Sequence, residues 1–475
     1  MISISFNNVK YLIMLSIITG VLAAVLQPYL WIGIAALLLL ILALVTDEKY
    51  ILPAVIIAFL VITSDISEGL RIIINIAAYI ILIYKYIKEF GISLNKSNEV
   101  PRIVKNFIIY TLIVLVFSSL FSVNILTGII EVLRTTVFFI LMYIFYSFIK
   151  SAKEIKLYID ALLTAGVIIA ITILYFFFTT HSAITDLEVE GLVHEGGYYH
   201  NVAAAGGIFA ITISINTAIL FLSEFRKKGK IIINVIALLV QIAALLLTNS
   251  RAAFLAVFFS TTFILITLDR KLFKKIFYSV SGISILIIAI FPRIIDILGV
   301  FFRANRVLEN TRYYMWDIAF GIIKNNPIWG SGPGMFKLYI YKYMPVMLGS
   351  WTESQIRWIY NEAGTGESHN YLLYKFSETG IMGLISAIAL PIIFFYLASK
   401  VLHEVRANRK WYILMISIIG SGIGLIARSF FESTGLLTDG WITRDLPYWI
   451  LLIIIIYLYQ NLVVLKKNIN ELEHR

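Results

Sequence analysis

At 475 residues, with 60% hydrophobic and only 14% charged positions, the chain has a mean hydropathy of +0.89. A soluble domain carries roughly a quarter charged residues, so a water-soluble fold is excluded. The absence of cysteine excludes disulfides and thiolate metal sites. The net charge of +11 reads as topology signal and lipid-headgroup contact rather than nucleic-acid binding, because the basic residues cluster between apolar runs.

In chain order, apolar runs fall at about 10–27, 29–46, 50–63, 69–87, 104–123, 125–149, 157–179, 201–222, 231–247, 251–268, 275–291, 371–398, 411–430 and 446–465. Runs of about 18 residues cross a ~30 Å hydrocarbon layer as helices. The alternating ten-residue segments of a β-barrel, roughly that long each, are absent. The fold class expected is all-α, a polytopic transmembrane helical bundle. The third run is short and the first two are joined tightly at Pro28, so about 12–14 spans are expected. The first run lacks a small-residue cleavage site and reads as an uncleaved helix. Three regions follow: an N-terminal bundle over 1–291, a large outer loop over 292–370, and C-terminal helices with a tail over 371–475.

Lysine and arginine fix the orientation. Lys85, Lys88, Lys96, Arg102 and Lys105 share one linker; Lys150, Lys153 and Lys156 another; Arg226, Lys227, Lys228 and Lys230 a third. Arg270, Lys271, Lys274 and Lys275 form a fourth cluster, and Arg406, Arg409 and Lys410 a fifth. With fourteen spans all five lie on one side, which the positive-inside rule makes the cytoplasm, together with both termini. The acidic loop holding Asp186, Glu188, Glu190 and Glu195, and the long loop 292–370, are then extracytoplasmic.

The long loop contains a helix of its own. Met315, Ile318, Ala319, Ile322 and Ile323 follow the spacing of one helical face. Asn310 or Thr311 can cap its start and Asn325-Asn326-Pro327 ends it. It is too short to span, so it should lie across the top of the bundle or in the interface. Arg312 falls on its apolar face.

Three residues stand out for chemistry. Arg251 opens a span at its outer end, where positive residues are scarce; it reads as a snorkelling anchor or a ligand for an anion. Arg312 reads as a surface arginine or as a second such ligand. His369 sits where the long loop meets the span near Tyr371, after Ser368 as a helix cap. It is either a structural histidine or a general base, since a helix N-terminus and nearby arginines favour neutral imidazole. Gly330, Gly332 and Gly334 read as a shaped turn, because no lysine and helix follow as in a phosphate loop. Within the membrane, Glu131 and Arg134 should pair. Arg71, Arg428 and Arg444 gather at the outer side and, with Tyr313, are candidate supporting residues. Two arginines can grip a diphosphate with bidentate bonds that lysine cannot match, and stabilise its charge as it departs. No metal site is expected; Asp65 and Glu68 are the nearest carboxylates to one.

The chain resembles the O-antigen ligase and Wzy-type polymerase family. The resemblance lies in Thr248-Asn249-Ser250-Arg251-Ala252-Ala253, in Asn310-Thr311-Arg312 through Trp316, and in Pro327 to Phe336. It continues in Ser368-His369-Asn370-Tyr371-Leu372 and Glu378-Thr379-Gly380-Ile381-Met382-Gly383. It covers roughly residues 240–385; the remainder matches only as a helical bundle. It implies a glycosyltransferase of the bacterial plasma (inner) membrane, active on the extracytoplasmic face without metal or cofactor. Its donor would be an undecaprenyl-diphosphate-linked oligosaccharide. Its acceptor would be a second lipid-linked repeat unit in a polymerase, or lipid A-core in a ligase. Membrane lipids and a chain-length regulator are further implied partners, and nucleic acid is not. Carried over by motif, Arg251 and Arg312 would hold the diphosphate, and His369 would activate the acceptor hydroxyl with inversion at the anomeric carbon. The span count leans toward polymerase. A flippase or transporter is the rival class; it would show related halves and midplane charges or broken helices. A metal-dependent lipid-sugar transferase is a third option.

Overall fold

The computed structural model describes residues 46–61, 68–91, 99–180, 202–222, 228–293, 311–343 and 367–462. The run expected at 10–27, all but the last residue of the run expected at 29–46, the acidic loop, Asp65 and Asn310 lie outside them. Among the described residues every regular element is a helix. In order these are α1 (Glu48–Val61), α2 (Glu68–Phe90), α3 (Arg102–Leu120), α4 (Ile125–Ser147), α5 (Ala152–Thr180), α6 (Val202–Ile219) and α7 (Lys228–Thr248). Then come α8 (Arg251–Leu268), α9 (Arg270–Ile290), α10 (Thr311–Asn325), a 3-10 turn (Phe336–Tyr339), α11 (Ile340–Tyr343), α12 (Tyr371–Glu404), α13 (Arg409–Ser429) and α14 (Ile442–Gln460). Nine of these, α3, α4, α5, α7, α8, α9, α12, α13 and α14, are long and apolar enough to cross a bilayer. The protein is a polytopic helical membrane protein.

Small residues decide the tightest seam. Apolar side chains gain little from meeting each other in lipid, so helices associate where small residues let backbones approach. On α8, Ala252, Ala256 and Ser260 recur every fourth residue and are buried. On α13, Gly420 and Gly424 face them: a Cβ on Gly424 would sit 2.5 Å from the Ala256 carbonyl oxygen. From the third side α6 brings Gly206 against Ala253, where a Cβ would lie 2.3 Å from the alanine methyl. Ser214 Oγ and Ser260 Oγ, 2.5 Å apart, tie α6 to α8. The seam fixes the start of α8, and Asn249, in the left-handed region at φ 46°, turns the chain into it from α7.

α14 runs through the middle of the bundle. Tyr448 stacks on Phe394 of α12, and Trp449 meets Phe138 edge-on. α9 is the opposite case: none of its residues is buried.

α12 is broken one-third of the way along. Gly380 sits at φ 66°, ψ −164° inside it, which frees the carbonyls of Ser377 and Glu378 from helical partners. The segment 327–336 takes them up. Ser331 N–H donates to Ser377 O and Gly332 N–H to Glu378 O, both at 2.9 Å, and Ile381 N–H donates to Pro327 O. Trp329 is stacked between Phe117 and Phe121 at the end of α3. The apolar face of α10 closes this unit: Met315, Ile318, Ala319 and Ile322 bury against Phe336, Ile340 and Tyr374.

Candidate functional site

The site is built on the segment between α13 and α14. Residues 432–440 are irregular and buried. Buried non-helical backbone needs partners for its polar groups, and side chains from the surrounding helices supply them. Arg428 Nη1 donates to Thr434 O (2.6 Å) and Trp449 Nε1 to Leu436 O (2.8 Å). Thr438 N–H donates to the Asp445 carboxylate at 2.6 Å, and Arg134 Nε to Asp439 O at 2.8 Å. Asn370 Nδ2 donates to Phe430 O at 3.1 Å. The Asp439 carboxylate receives Lys375 Nζ (2.5 Å) and the Tyr374 hydroxyl (2.8 Å). Burial would raise its pKa, but Lys375, Arg134 and Tyr374 together hold it below the usual carboxylate range. Asp439 has φ 51°, so this ionic anchor also holds a conformation that costs free energy.

What the segment presents is Glu432, which is 5% exposed. One carboxylate oxygen receives Arg312 Nη2 at 2.7 Å; the other lies 3.6 Å from His369 Nδ1. At that distance the second contact is electrostatic rather than a hydrogen bond. Burial works to raise the pKa of Glu432, and His369, Arg312 and Arg428 outweigh it, holding the carboxyl down to about 2. It is therefore ionised at neutral pH. A carboxylate facing Nδ1 favours the tautomer protonated there, which leaves Nε2 as the basic nitrogen.

The three residues singled out by sequence converge on this carboxylate or next to it. Arg312 is in the first turn of α10 and His369 is one residue ahead of the α12 cap. Arg251 at the start of α8 lies within electrostatic range of Arg312 and Tyr313. His369 has φ 52°, an uncommon backbone state for a residue with a Cβ. The cap itself differs from expectation. Asn370, not Ser368, takes it, its Oδ1 accepting from Leu373 N–H at 2.9 Å, while the Ser368 hydroxyl donates to Asn370 O. Because the helix begins at Tyr371, Asn370 stands at the cap position, where its Oδ1 reaches the N3 amide and its Nδ2 secures Phe430.

The supporting candidates divide. Arg444 is ion-paired with Glu367 at 2.5 Å, two residues before His369. Arg428 is buried against the 432–440 segment, and Gly207 and Gly435 leave room for its guanidinium. Tyr313 is half-exposed, with its ring edge-on to Trp316. Arg71 lies in α2, with its side chain outside the described atoms. The glycine-rich segment is a turn, as expected: Ser331 and Gly332 give their amides to protein carbonyls and Phe336 N–H donates to the Glu378 carboxylate. Glu131 and Arg134 form the expected ion pair.

Residues 236–388 match the family described as O-antigen ligase. Over that third of its length the chain is similar to the O-antigen ligase family. No curated protein matches the chain. The O-antigen ligase match runs from the last turns of α7 to the middle of α12 and includes Arg251, Arg312 and His369. Glu432, Asp439 and Arg444 fall after it. Sequence reasoning missed the two carboxylates. Their signal was an acidic pair, in a connection of Thr, Gly and Ser, beside a span-ending arginine at position 428.

Proposed function

We propose that the protein is a glycosyltransferase of the bacterial plasma membrane that moves an oligosaccharide from undecaprenyl diphosphate to a sugar hydroxyl on the extracytoplasmic face. The observation that carries this reading is the linkage of Arg312, Glu432 and His369 beside Arg251. In it, cations suited to a diphosphate adjoin an imidazole whose outward nitrogen can take a proton. A guanidinium carries several N–H donors in a rigid fork, enough for a carboxylate and a phosphate oxygen together.

The step balances without an external reagent. The acceptor hydroxyl oxygen attacks the anomeric carbon, and its proton passes to Nε2 of His369. The anomeric C–O bond to the diphosphate breaks, and its electron pair leaves with the lipid diphosphate. Arg251 and Arg312 stabilise the charge that accumulates there, so no general acid and no metal are needed. Attack opposite the leaving group inverts the anomeric centre. The basic clusters on α2, α3, α9 and α13 lie at the helix ends away from this site, which supports an outward-facing site and cytoplasmic termini.

The span count favours a polymerase, with a second lipid-linked unit as acceptor; the family description favours a ligase, with lipid A-core as acceptor. Purified protein in nanodiscs, given undecaprenyl-diphosphate oligosaccharide and either acceptor, separates them by product. His369→Ala with full transfer activity removes the base assignment. Arg251→Ala and Arg312→Ala with unchanged donor binding remove the diphosphate assignment.

A further inference from the structure

Residues 367–370, the turn that carries His369, are held to the segment between α13 and α14 at both ends. At one end Glu367 pairs with Arg444 in the first turn of α14, Oε1 to Nη1, at 2.5 Å. At the other, Asn370 Nδ2 donates at 3.1 Å to the carbonyl of Phe430, the C-cap of α13. Between them Glu432 faces His369 Nδ1 at 3.6 Å. The Ser368 hydroxyl closes the turn on Asn370 O at 2.8 Å. His369 itself has φ 52°, a backbone state that costs free energy and persists where the surroundings impose it. The contacts that impose it come from its neighbours, not from the imidazole.

Arg444 is held from its far side as well. Its guanidinium carbon lies 5.1 Å from the centre of the Trp441 ring, and that of Arg134 lies 4.7 Å from the same centre. Arg134 donates to Asp439 O, and the Asp439 carboxylate receives Lys375 and Tyr374. The pair of Glu367 and Arg444 therefore links the histidine turn to the buried ionic anchor. Both side chains of the pair are only 22–24% exposed, so solvent screens their attraction in part. The charge balance differs from that at Arg312. There one carboxylate, Glu432, serves both Arg312 and Arg428, whereas Arg444 is faced by two carboxyl groups, Glu367 and Asp445. Arg312 thus stands in a cationic excess that attracts an anion, and Arg444 does not.

Resting on the transfer reaction proposed above, we propose that Arg444 and Glu367 are positioning residues for His369. Their ion pair, with the bond from Asn370 to Phe430, holds Nδ1 of the imidazole against Glu432. Arg444 acts on the reaction through Glu367 and makes no contact with the diphosphate.

The test uses the full-length protein in nanodiscs with four variants. These are Glu367→Gln, Arg444→Gln, the exchanged pair Glu367→Arg with Arg444→Glu, and Asn370→Ser, which keeps a helix cap but loses the bond to Phe430. Glu367→Gln, Arg444→Gln and Asn370→Ser should each lower kcat by about 10–10²-fold with donor KM unchanged. The exchanged pair should recover most of that loss. An unchanged kcat in Glu367→Gln, or a raised donor KM in Arg444→Gln, overturns the proposal. A second readout does not depend on transfer. ¹⁵N spectra of histidine-labelled protein, with His369 assigned by difference from His369→Gln, should show an imidazole protonated at Nδ1 in the wild type and a mixture of tautomers in Glu367→Gln. A tautomer unchanged by Glu367→Gln overturns the proposal whatever the rates, and decides the case if the exchanged pair fails to fold. If His369→Ala transfers at the wild-type rate while the tautomer responds to Glu367→Gln, the clamp stands and the reaction assigned to His369 falls.

Discussion

Glu432→Gln is the sharpest perturbation available, because it keeps the shape of the side chain while deleting one charge and one acceptor oxygen. The carboxylate contacts Arg312 at 2.7 Å and stands 3.6 Å from His369 Nδ1. At an effective dielectric of about 20, a unit charge at roughly 4 Å interacts by about 4 kcal/mol with an imidazolium formed during the reaction. Allowing for partial exposure of the ring leaves about 2–3 kcal/mol, a rate loss of about 10²-fold. The neutral amide also no longer selects the tautomer that exposes Nε2. The assay is single-turnover transfer from undecaprenyl-diphosphate oligosaccharide in nanodiscs, with products resolved on gels. Glu432→Gln should lower the chemical rate by that factor and leave donor affinity equal or tighter, since Arg312 is relieved of its carboxylate. His369→Ala should lose about 10²–10⁴-fold. The double variant should lose no more than His369→Ala alone, because the two act as a unit. Losses that multiply in the double variant, or a wild-type rate in Glu432→Gln, would refute the reasoning.

Four further outcomes are expected. Because the folded pKa of Glu432 is depressed from 4.5 to about 2, its stabilising contribution is present above about pH 4.5 and is lost as pH falls toward 2. Thermal unfolding in detergent should therefore show the wild type losing its advantage over Glu432→Gln across that window, and a constant difference would contradict it. Asp439→Asn breaks a buried ion pair and should cost about 3 kcal/mol, read as a lower Tm together with lost transfer. Gly380→Ala places a Cβ 2.0 Å from Ile328 O at φ 66° and should destabilise by about 3 kcal/mol or more, measured the same way. Transfer should continue in the presence of a chelator, and its abolition and rescue by a divalent cation would reverse the metal-independent mechanism.

The helical plan was legible because a bilayer imposes its own ruler. From residue 50 onward each apolar run of the sequence has a helix over it, and Met315, Ile318, Ala319 and Ile322 bury as their spacing predicts. The sequence singled out Arg251, Arg312 and His369 by motif, and the structure brings Arg312 and His369 to one carboxylate with Arg251 within electrostatic range of Arg312. Glu432 was not singled out, because nothing local marks it; its importance comes from two residues 120 and 63 positions earlier in the chain. Nor was Asp439, whose partners Lys375 and Arg134 come from α12 and α4. Arg428 looked like a ligand for the same reason: an arginine at the outer end of a span has one appearance in sequence, whether it meets substrate or a carbonyl such as Thr434 O. The broken helix at Gly380 was visible as a glycine, but its capping by residues 327–336 depends on a contact across the long loop.

The segment between α13 and α14 has a consequence for how such chains are cut and compared. A fragment ending at residue 408 would keep the whole stretch by which the family is recognised, with its two arginines and its histidine intact. It would lack the acid that touches two of them. Such a fragment would pass a search for those motifs without the carboxylate, and a swap of the last two helices between relatives would exchange part of the proposed site along with the anchor.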